Sequence, residues 1–143
     1  MEDVKILALE PEDLLVISAC MQDAIIRIAD ISYSARTRQF VLLANRFEVE
    51  ESGTKTGHRR RTGITFSRVN KVRSHKIRQG ADEAVLSLLA IEFEAGDVAP
   101  EGMIKLVFSA GGIIELDVEC VEVQMEDLGP RWETKNIPAH DEE

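Results

Sequence analysis

The 143-residue sequence predicts an α+β domain built mainly from an antiparallel, strongly bent sheet. One early segment has the apolar spacing of an α-helix, whereas most later segments alternate apolar and polar residues as strands do. Hydrophobic residues make up 44% of the chain and aromatic residues only 5%, so aliphatic side chains must fill a single core. We therefore expect one globular domain over residues 1–132 and a flexible acidic tail over 133–143.

The first predicted elements are a short strand, VKILAL, and a helix. Pro11 stands where proline favours the first turn of a helix, and the carboxylates that follow it suit the positive end of a helix dipole. The residues that recur at helical spacing are Leu14, Ile17, Ser18, Met21 and Ile25. They predict a helix from about residue 11 to residue 23.

Strands are predicted for most of the chain after this helix. The runs IIRIADISY and QFVLLANRFEV favour a hairpin around a polar turn at 35–38. Residues 50–57 include two glycines and form a polar loop, the best candidate for a mobile segment. Residues 59–77 predict one long basic strand, or two strands separated by a bulge near Ser67–Arg68, because the apolar alternation slips there.

Three further segments alternate as strands. In AVLSLLAIEF, the residues that alternate on one side of the strand are Val85, Ser87, Leu89, Ile91 and Phe93. Glu92 and Glu94 take the other side. The runs MIKLVF and IIELDV alternate on both sides of a tight glycine turn, which predicts a second hairpin.

The end of the chain leaves two interpretations open. Val121, Met125 and Leu128 fit a C-terminal helix that the following Gly-Pro pair would end, but VECVEV could equally extend the preceding strand. With an N-terminal and a C-terminal helix, the bent sheet is closest to a split barrel of the pleckstrin-homology-like kind. That architecture is an analogy drawn from the number and order of the elements, and an analogy of fold implies no function.

The charge of the chain is unevenly distributed. The net charge is −9, yet residues 52–81 contain nine Lys or Arg and no Asp or Glu. The rest of the sequence has 26 acidic residues against eight basic ones. Such an asymmetry is informative about binding partners rather than about the fold.

The candidate binding residues of this basic segment are Arg59, Arg60, Arg61, Lys71 and Arg73. Guanidinium groups bind phosphate and carboxylate oxygens, so nucleic acid or another polyanion is one hypothesis. The segment lacks the interleaved aromatic residues on which single-stranded bases stack. The interpretation we favour is that the cations pair across strands with Glu92 and Glu94, or protect an edge strand from aggregation.

Sequence motifs for catalysis or metal binding are missing. GTKTG is followed by His-Arg and a strand, whereas a phosphate-binding loop has Gly-Lys-Ser/Thr opening a helix. His58, His75 and His140 lack metal-ligand spacing, and no serine stands in a nucleophile motif. Cys20 and Cys120 fall in apolar surroundings typical of free, buried thiols in a reducing compartment. We expect no enzyme activity, no cofactor and no metal ion.

Four segments carry a resemblance to a known family: DLLVISACMQDAIIRIADISY, RRTGITFSRVNKVRS, LSLLAIEFEAG and VECVEVQMEDLGPRW. Together they cover most of Asp13 to Trp132. The chain resembles an uncharacterised family of small alphaproteobacterial proteins, a domain of unknown function (family twenty-nine forty-eight). The resemblance implies a bacterial cytosolic protein, and it points to no catalytic or binding residues.

We expect a cytoplasmic protein. The acidic N-terminus lacks the features of a signal peptide, and no apolar run reaches the roughly 20 residues that span a bilayer. The biochemical function is unknown from the sequence, and the hypothesis we favour is a small non-enzymatic module that binds another protein or itself, without membrane contact. The alternative is an anion or nucleic-acid binder that uses the basic segment over 55–78.

Overall fold

The computed structural model of the chain describes residues 3–49, 55–78, 80–81, 83–129 and 132–133. These residues contain one α-helix, α1 at Pro11–Met21, and two short 3₁₀ turns at Ile28–Asp30 and Ser109–Gly111. The strands are β1 Lys5–Ala8, β2 Ile25–Arg27, β3 Ile31–Ser34, β4 Gln39–Val49, β5 Lys55–Phe66, β6 Val69–His75, β7 Val85–Ala95, β8 Gly102–Phe108, β9 Ile113–Val118, β10 Val123–Asp127 and β11 Trp132–Glu133.

All the strands belong to one antiparallel sheet. Hydrogen-bonded neighbours follow the order β1-β10-β5-β4-β2-β7-β8-β9-β6, while β3 pairs with β4 and β11 pairs with β5. The path has two ends, at β1 and β6, so the sheet is open. One helix and a mainly antiparallel sheet confirm the predicted α+β class.

The helix α1 forms where the sequence predicted it. Pro11 opens it, and the Asp13 carboxylate accepts hydrogen bonds from the backbone N–H groups of Leu9 (3.2 Å) and Glu10 (3.3 Å) just before the first turn. Leu14, Ile17 and Met21 are buried against the sheet. The helix ends at Met21, and Asp23 then turns the chain with φ 70°.

The break predicted within the basic segment is also confirmed. Ser67 and Arg68 separate β5 from β6, and Arg68 has a left-handed backbone with φ 62°. Because the chain bends there, β5 pairs with β4 and β10, whereas β6 pairs with β9. The basic residues are thus divided between two distant positions in the strand order.

The predicted loop over 50–57 is shorter than expected at its C-terminal end. Residues 50–54 lie outside the described residues. Residues 55–57 are already part of β5, which continues the pairing with β4 as far as Lys55 and Val49.

The predicted C-terminal helix is wrong. Residues 123–127 form β10, which pairs with β1 on one side and β5 on the other. Val123, Met125 and Asp127 are buried while their neighbours are less so, which is the two-residue period of a strand. Val121 and Met125 are four residues apart, a spacing that suits both a helix and a strand. Leu128, the third residue of the predicted helical series, is 51% exposed. Pro130 and the tail from 134 lie outside the described residues.

The predicted phase of β7 is wrong in its first half. The register slips between Leu88 and Ala90, where a bulge interrupts the pairing with β8. Leu88 and Ile91 are buried, whereas Val85 is 59% and Leu89 37% exposed. A simple alternation through the whole strand cannot show such a bulge.

The core lies on one face of β4, β5 and β10, in rows across these strands. Phe40 and Phe66 meet edge to face with their ring centroids 5.9 Å apart. Successive rows across β4, β5 and β10 are Phe40, Phe66 and Val123; Leu42, Ile64 and Met125; Ala44, Thr62 and Asp127. The same face therefore changes from apolar to ionic toward the end of these strands.

Candidate functional site

A buried ionic layer continues the core face of β4, β5 and β10. It consists of Arg46, Glu48, Arg60, Thr62 and Asp127, all at most 5% exposed. Arg46 donates two hydrogen bonds to the Asp127 carboxylate, from Nε to Oδ1 at 2.9 Å and from Nη2 to Oδ2 at 2.8 Å. The Thr62 hydroxyl donates to Asp127 Oδ1 at 2.9 Å.

Asp127 also fixes the start of β1. The backbone N–H of Val4 donates to Asp127 Oδ2 at 2.8 Å, and the Asp127 N–H donates to the Val4 carbonyl at 3.0 Å. Burial raises the pKa of the Asp127 carboxyl, but the hydrogen bonds from Arg46, Val4 and Thr62 outweigh it and hold that pKa below its usual range. The carboxylate is therefore ionised at neutral pH.

We expect the ionised Asp127 to make the fold sensitive to acid. The pKa of Asp127 is lower in the folded chain than in the unfolded chain, where an Asp titrates at about 3.9. The ionised carboxylate therefore stabilises the fold above about pH 4, and this stabilisation is lost as the pH falls further. Urea unfolding between pH 7 and pH 3 should show a steep loss of stability at the acid end. In Asp127→Asn the same pH change should cost less, and an equally steep loss would contradict the assignment.

Arg60, the central residue of the arginine triplet, belongs to this layer. It is 3% exposed, its Nε donates to Glu48 Oε1 at 3.1 Å, and its Nη1 contacts the Asp3 carboxylate. Across the strand pair Arg60 lies opposite Arg46, so each of these like charges has a carboxylate partner of its own. Its position in the core excludes Arg60 from contact with an external anion.

Arg59 and Arg61 project from the opposite face of β5. The Arg59 guanidinium lies 3.8 Å above the centroid of the Phe47 ring and donates to the Asn45 carbonyl at 3.2 Å. Burial lowers the pKa of Arg59. Arg61 contacts Asn45 Oδ1 at 3.3 Å and Asp30 Oδ2 at 3.4 Å. Both arginines therefore have internal partners.

Arg73, on β6, is paired with two acids of β9. Its Nη1 and Nη2 each lie 2.7 Å from an Asp117 carboxylate oxygen, and its Nε lies 3.2 Å from Glu115 Oε1. The hydrogen bonds from Arg73 hold the pKa of Asp117 below its usual range, and those from His75 and then Arg73 do the same for Glu115. Lys71 is exposed and stands opposite Asp117 in the strand register.

The acids that neutralise the basic segment are not the ones predicted. Glu92 and Glu94 do not face it, because β7 pairs with β2 and β8 and places Glu92 opposite Lys105. Among the described residues, the acids that pair with arginines of the basic segment are Asp3, Asp30, Glu48, Glu115, Asp117 and Glu122. Cross-strand pairing itself is what the sequence favoured, but only the strand order determines which acids take part.

The outward side of α1 is exposed and, apart from Glu12, apolar. Two adjacent rows of the helix make up this α1 face. One row is Pro11, Leu15 and Ala19, and the other is Glu12 and Val16. Leu15 is 71% and Val16 54% exposed. The sequence contained the signal for this feature, since LLVISACM has no charged residue on any side of the helix.

A pocket of about 420 Å³ adjoins the start of this face. Its apolar walls are Leu9, Pro11, Phe93, Ala99, Pro100 and Val121, with Cys120 alongside. Glu10 and Glu101 also line it, and both are exposed. The Phe93 ring rests on Gly102, where an added Cβ would lie 2.3 Å from Phe93 Cζ, so close packing holds this wall in place. We call this cavity the α1 pocket.

The comparison with protein families decides what the chain is related to. The family model described as "Protein of unknown function (DUF2948)" matches residues 4–140. The chain belongs to this family. The comparisons with curated proteins and with solved structures give no significant match. The resemblance found in the sequence is confirmed, and an alphaproteobacterial origin stays a prediction.

The DUF2948 family description names no activity, so the chemistry of this member has to be judged from its side chains. Among the residues that the structure describes, no three His, Cys, Asp or Glu side chains converge to hold a metal ion. In the same residues, no helix is long and apolar enough to cross a membrane. Cys20 and Cys120 are free thiols and are half-buried rather than buried, and burial raises the pKa of Cys20. His140 lies outside the described residues.

Proposed function

We propose that this chain is a non-enzymatic, cytoplasmic protein-interaction module, and that the α1 face is its docking surface. The observation that supports this proposal is the exposure of Leu15 and Val16 on a helix whose other side is already buried. A surface helix normally turns charged and polar residues to solvent, and a helix that is apolar all round is normally covered. Full transfer of each of these two side chains from water to an apolar interface is favourable by about 1.5–3 kcal/mol, against which the entropy cost of association is set.

Charge selects the kind of partner. The helix has no Lys or Arg, and its N-terminal end carries Glu10, Glu12 and Asp13. An apolar surface with an acidic end is complementary to a segment of another protein that combines apolar and basic residues. We infer that such a basic segment is the occupant of the α1 face.

Self-association is disfavoured by the same charges. A symmetric dimer places one surface against its own copy, so the acidic end of each helix would meet either the acidic end or the negative C-terminal end of the other. Neither arrangement supplies a cation. A heterotypic partner avoids this conflict.

The anion-binding alternative has less support. Arg59, Arg60, Arg61 and Arg73 all contact acids, carbonyls or rings of their own chain, which leaves Lys71 as the exposed member of the five predicted residues. If these arginines bound phosphates, their ion pairs and hydrogen bonds within the chain would be broken. A pleckstrin-homology-like architecture stays a prediction, and it is compatible with a binding module.

A photo-crosslinking amino acid at Val16 tests the proposal. In native cells we expect one discrete adduct with a second protein whose cross-linked segment is basic and apolar, formed less when Leu15→Gln is also present. The same crosslinker at the exposed position Glu92, on β7, is the control and should give no such adduct. An adduct of two copies of the chain would establish self-association instead, and no adduct at Val16 would overturn the proposal.

A further inference from the structure

We infer that the α1 pocket receives one large apolar side chain of the docked segment, and that Glu10 and Glu101 select a Lys or Arg next to it. This inference rests on the proposed docking function and adds the element that would make recognition specific. Interfaces commonly depend on a few buried anchors in pockets, surrounded by contacts that exclude water.

The shape of the pocket fits an anchor. Its volume of about 420 Å³ leaves room for one large apolar side chain together with neighbouring atoms of the docked segment. The walls are aliphatic and aromatic, and Phe93 is held against Gly102. A preformed apolar pocket of this size suits a Leu, Phe or Trp side chain better than a polar ligand.

The pocket and the α1 face form one continuous surface. Pro11 lines the pocket and also begins the exposed row of the helix. Leu15 and Ala19 follow it at four-residue intervals, so the row extends about 12 Å along the helix. A segment bound along this row therefore reaches the pocket with one of its ends.

The charges at the pocket have a single sign. Glu10 and Glu101 are exposed, and no Lys or Arg occurs among the described residues that line the cavity. Neither glutamate forms a salt bridge among the described residues. The Glu10 side chain accepts a hydrogen bond from the Asp13 backbone in the capping box of α1, and a carboxylate has further acceptor positions for a cation of the partner. A Lys or Arg adjacent to the anchor residue of the docked segment would pair with these two carboxylates.

Selection of random 16-residue peptides displayed on phage against the purified full-length protein tests this inference. We expect the enriched sequences to share one large apolar residue with Lys or Arg beside it. A synthetic peptide of that consensus, followed by fluorescence anisotropy, should bind at least tenfold more weakly to Ala99→Trp, which is designed to place a large ring at the pocket wall. The double variant Glu10→Lys/Glu101→Lys should weaken it by a similar factor.

Glu83→Lys is the matched control for charge. Glu83 is exposed and precedes β7, whereas the pocket lies at the other end of that strand, roughly 35 Å away by the rise of an extended chain. This variant should bind the peptide almost as well as the unmodified protein. An unchanged urea midpoint shows that a variant is folded. If Ala99→Trp is unfolded, the double variant Glu10→Lys/Glu101→Lys tests the inference in its place.

The outcomes separate the pocket from the docking face. If Val16→Gln abolishes peptide binding and both pocket variants leave it unchanged, the anchor inference is overturned and the proposed function survives. If the pocket variants abolish binding and Val16→Gln has no effect, the pocket stands and the proposed docking face fails. Enrichment of peptides without basic residues, or no enrichment, would overturn the inference directly.

Discussion

Asp127→Asn is expected to lower the free energy of unfolding by about 3–5 kcal/mol, because it breaks a buried ion pair while leaving the other charge in place. Arg46 would keep its guanidinium in the core, with its side chain 5% exposed, and would face a neutral amide with a single acceptor oxygen in place of a carboxylate that accepts two hydrogen bonds. The change also weakens the hydrogen bonds from Thr62 and from the Val4 N–H, which anchor β1 to β10.

Urea unfolding followed by circular dichroism measures this loss, and the neighbouring residue supplies the control. Glu126 lies on the same strand, faces the other way, and makes a 3.8 Å contact with Lys5 between two exposed side chains. Glu126→Gln should therefore change the stability by less than about 1 kcal/mol, as exposed ion pairs usually do. Equal effects of the two substitutions would contradict the role assigned to the ionic layer.

A double substitution distinguishes the cost of an unpaired charge from the value of the pair. In Arg46→Met/Asp127→Leu both charges are replaced by apolar side chains of comparable size. Such replacements are often neutral or stabilising, by about 1–4 kcal/mol relative to the ion pair. We expect the double variant to be more stable than Asp127→Asn, and a double variant as unstable as the single one would show that packing, not charge, is decisive there.

The sequence predicted the elements whose period is uninterrupted. Pro11, the acids after it and the spacing of Leu14 and Ile17 locate the start of α1. Its end at Met21 comes two residues before the predicted end, and Ile25, which also fits the helical spacing, belongs to β2. The break at Ser67–Arg68 was also visible, because apolar residues on the two sides of it are out of phase. In both cases local backbone preference and burial favour the same structure.

The errors have two physical causes. Around β10, the four-residue spacing of Val121 and Met125 satisfies helical and strand periods equally, and the pairing of residues 123–127 with β1 and β5 decides for the strand. In β7, a bulge reverses the phase at Leu89, which only the register with β8 reveals. Each outcome depends on a partner strand that is distant in the sequence, so no local pattern could supply it.

The ionic layer was missed for a related reason. Arg46 and Glu48 continue the alternation of β4 beyond Ala44, and charged residues at that phase suggest an exposed end of a strand. Burial depends on Asp127 and Asp3, which come from opposite ends of the chain. The exposed α1 face is the opposite case, since its apolar residues were evident in the sequence and only their exposure required the structure.

Arg60→Gln is expected to cost about 3 kcal/mol of stability, whereas Arg61→Gln should cost less than about 1 kcal/mol. The two residues are adjacent in the sequence and lie on opposite faces of β5. Arg60 is 3% exposed and holds the buried Glu48 carboxylate, while the Arg61 side chain is 35% exposed at its contact with Asp30. Urea midpoints of the two variants measure the difference, and the shared change from guanidinium to amide makes each a control for the other.

The same pair of variants separates the two interpretations of the arginine triplet. If the triplet were an anion site, both substitutions would weaken binding of a DNA or RNA oligonucleotide and the exposed Arg61 would matter more. If the triplet is structural, stability responds to Arg60 and oligonucleotide binding responds to neither. Because Arg60 lies beside Arg46 with Glu48 and Asp127 as their partners, we expect stability to be the property that changes.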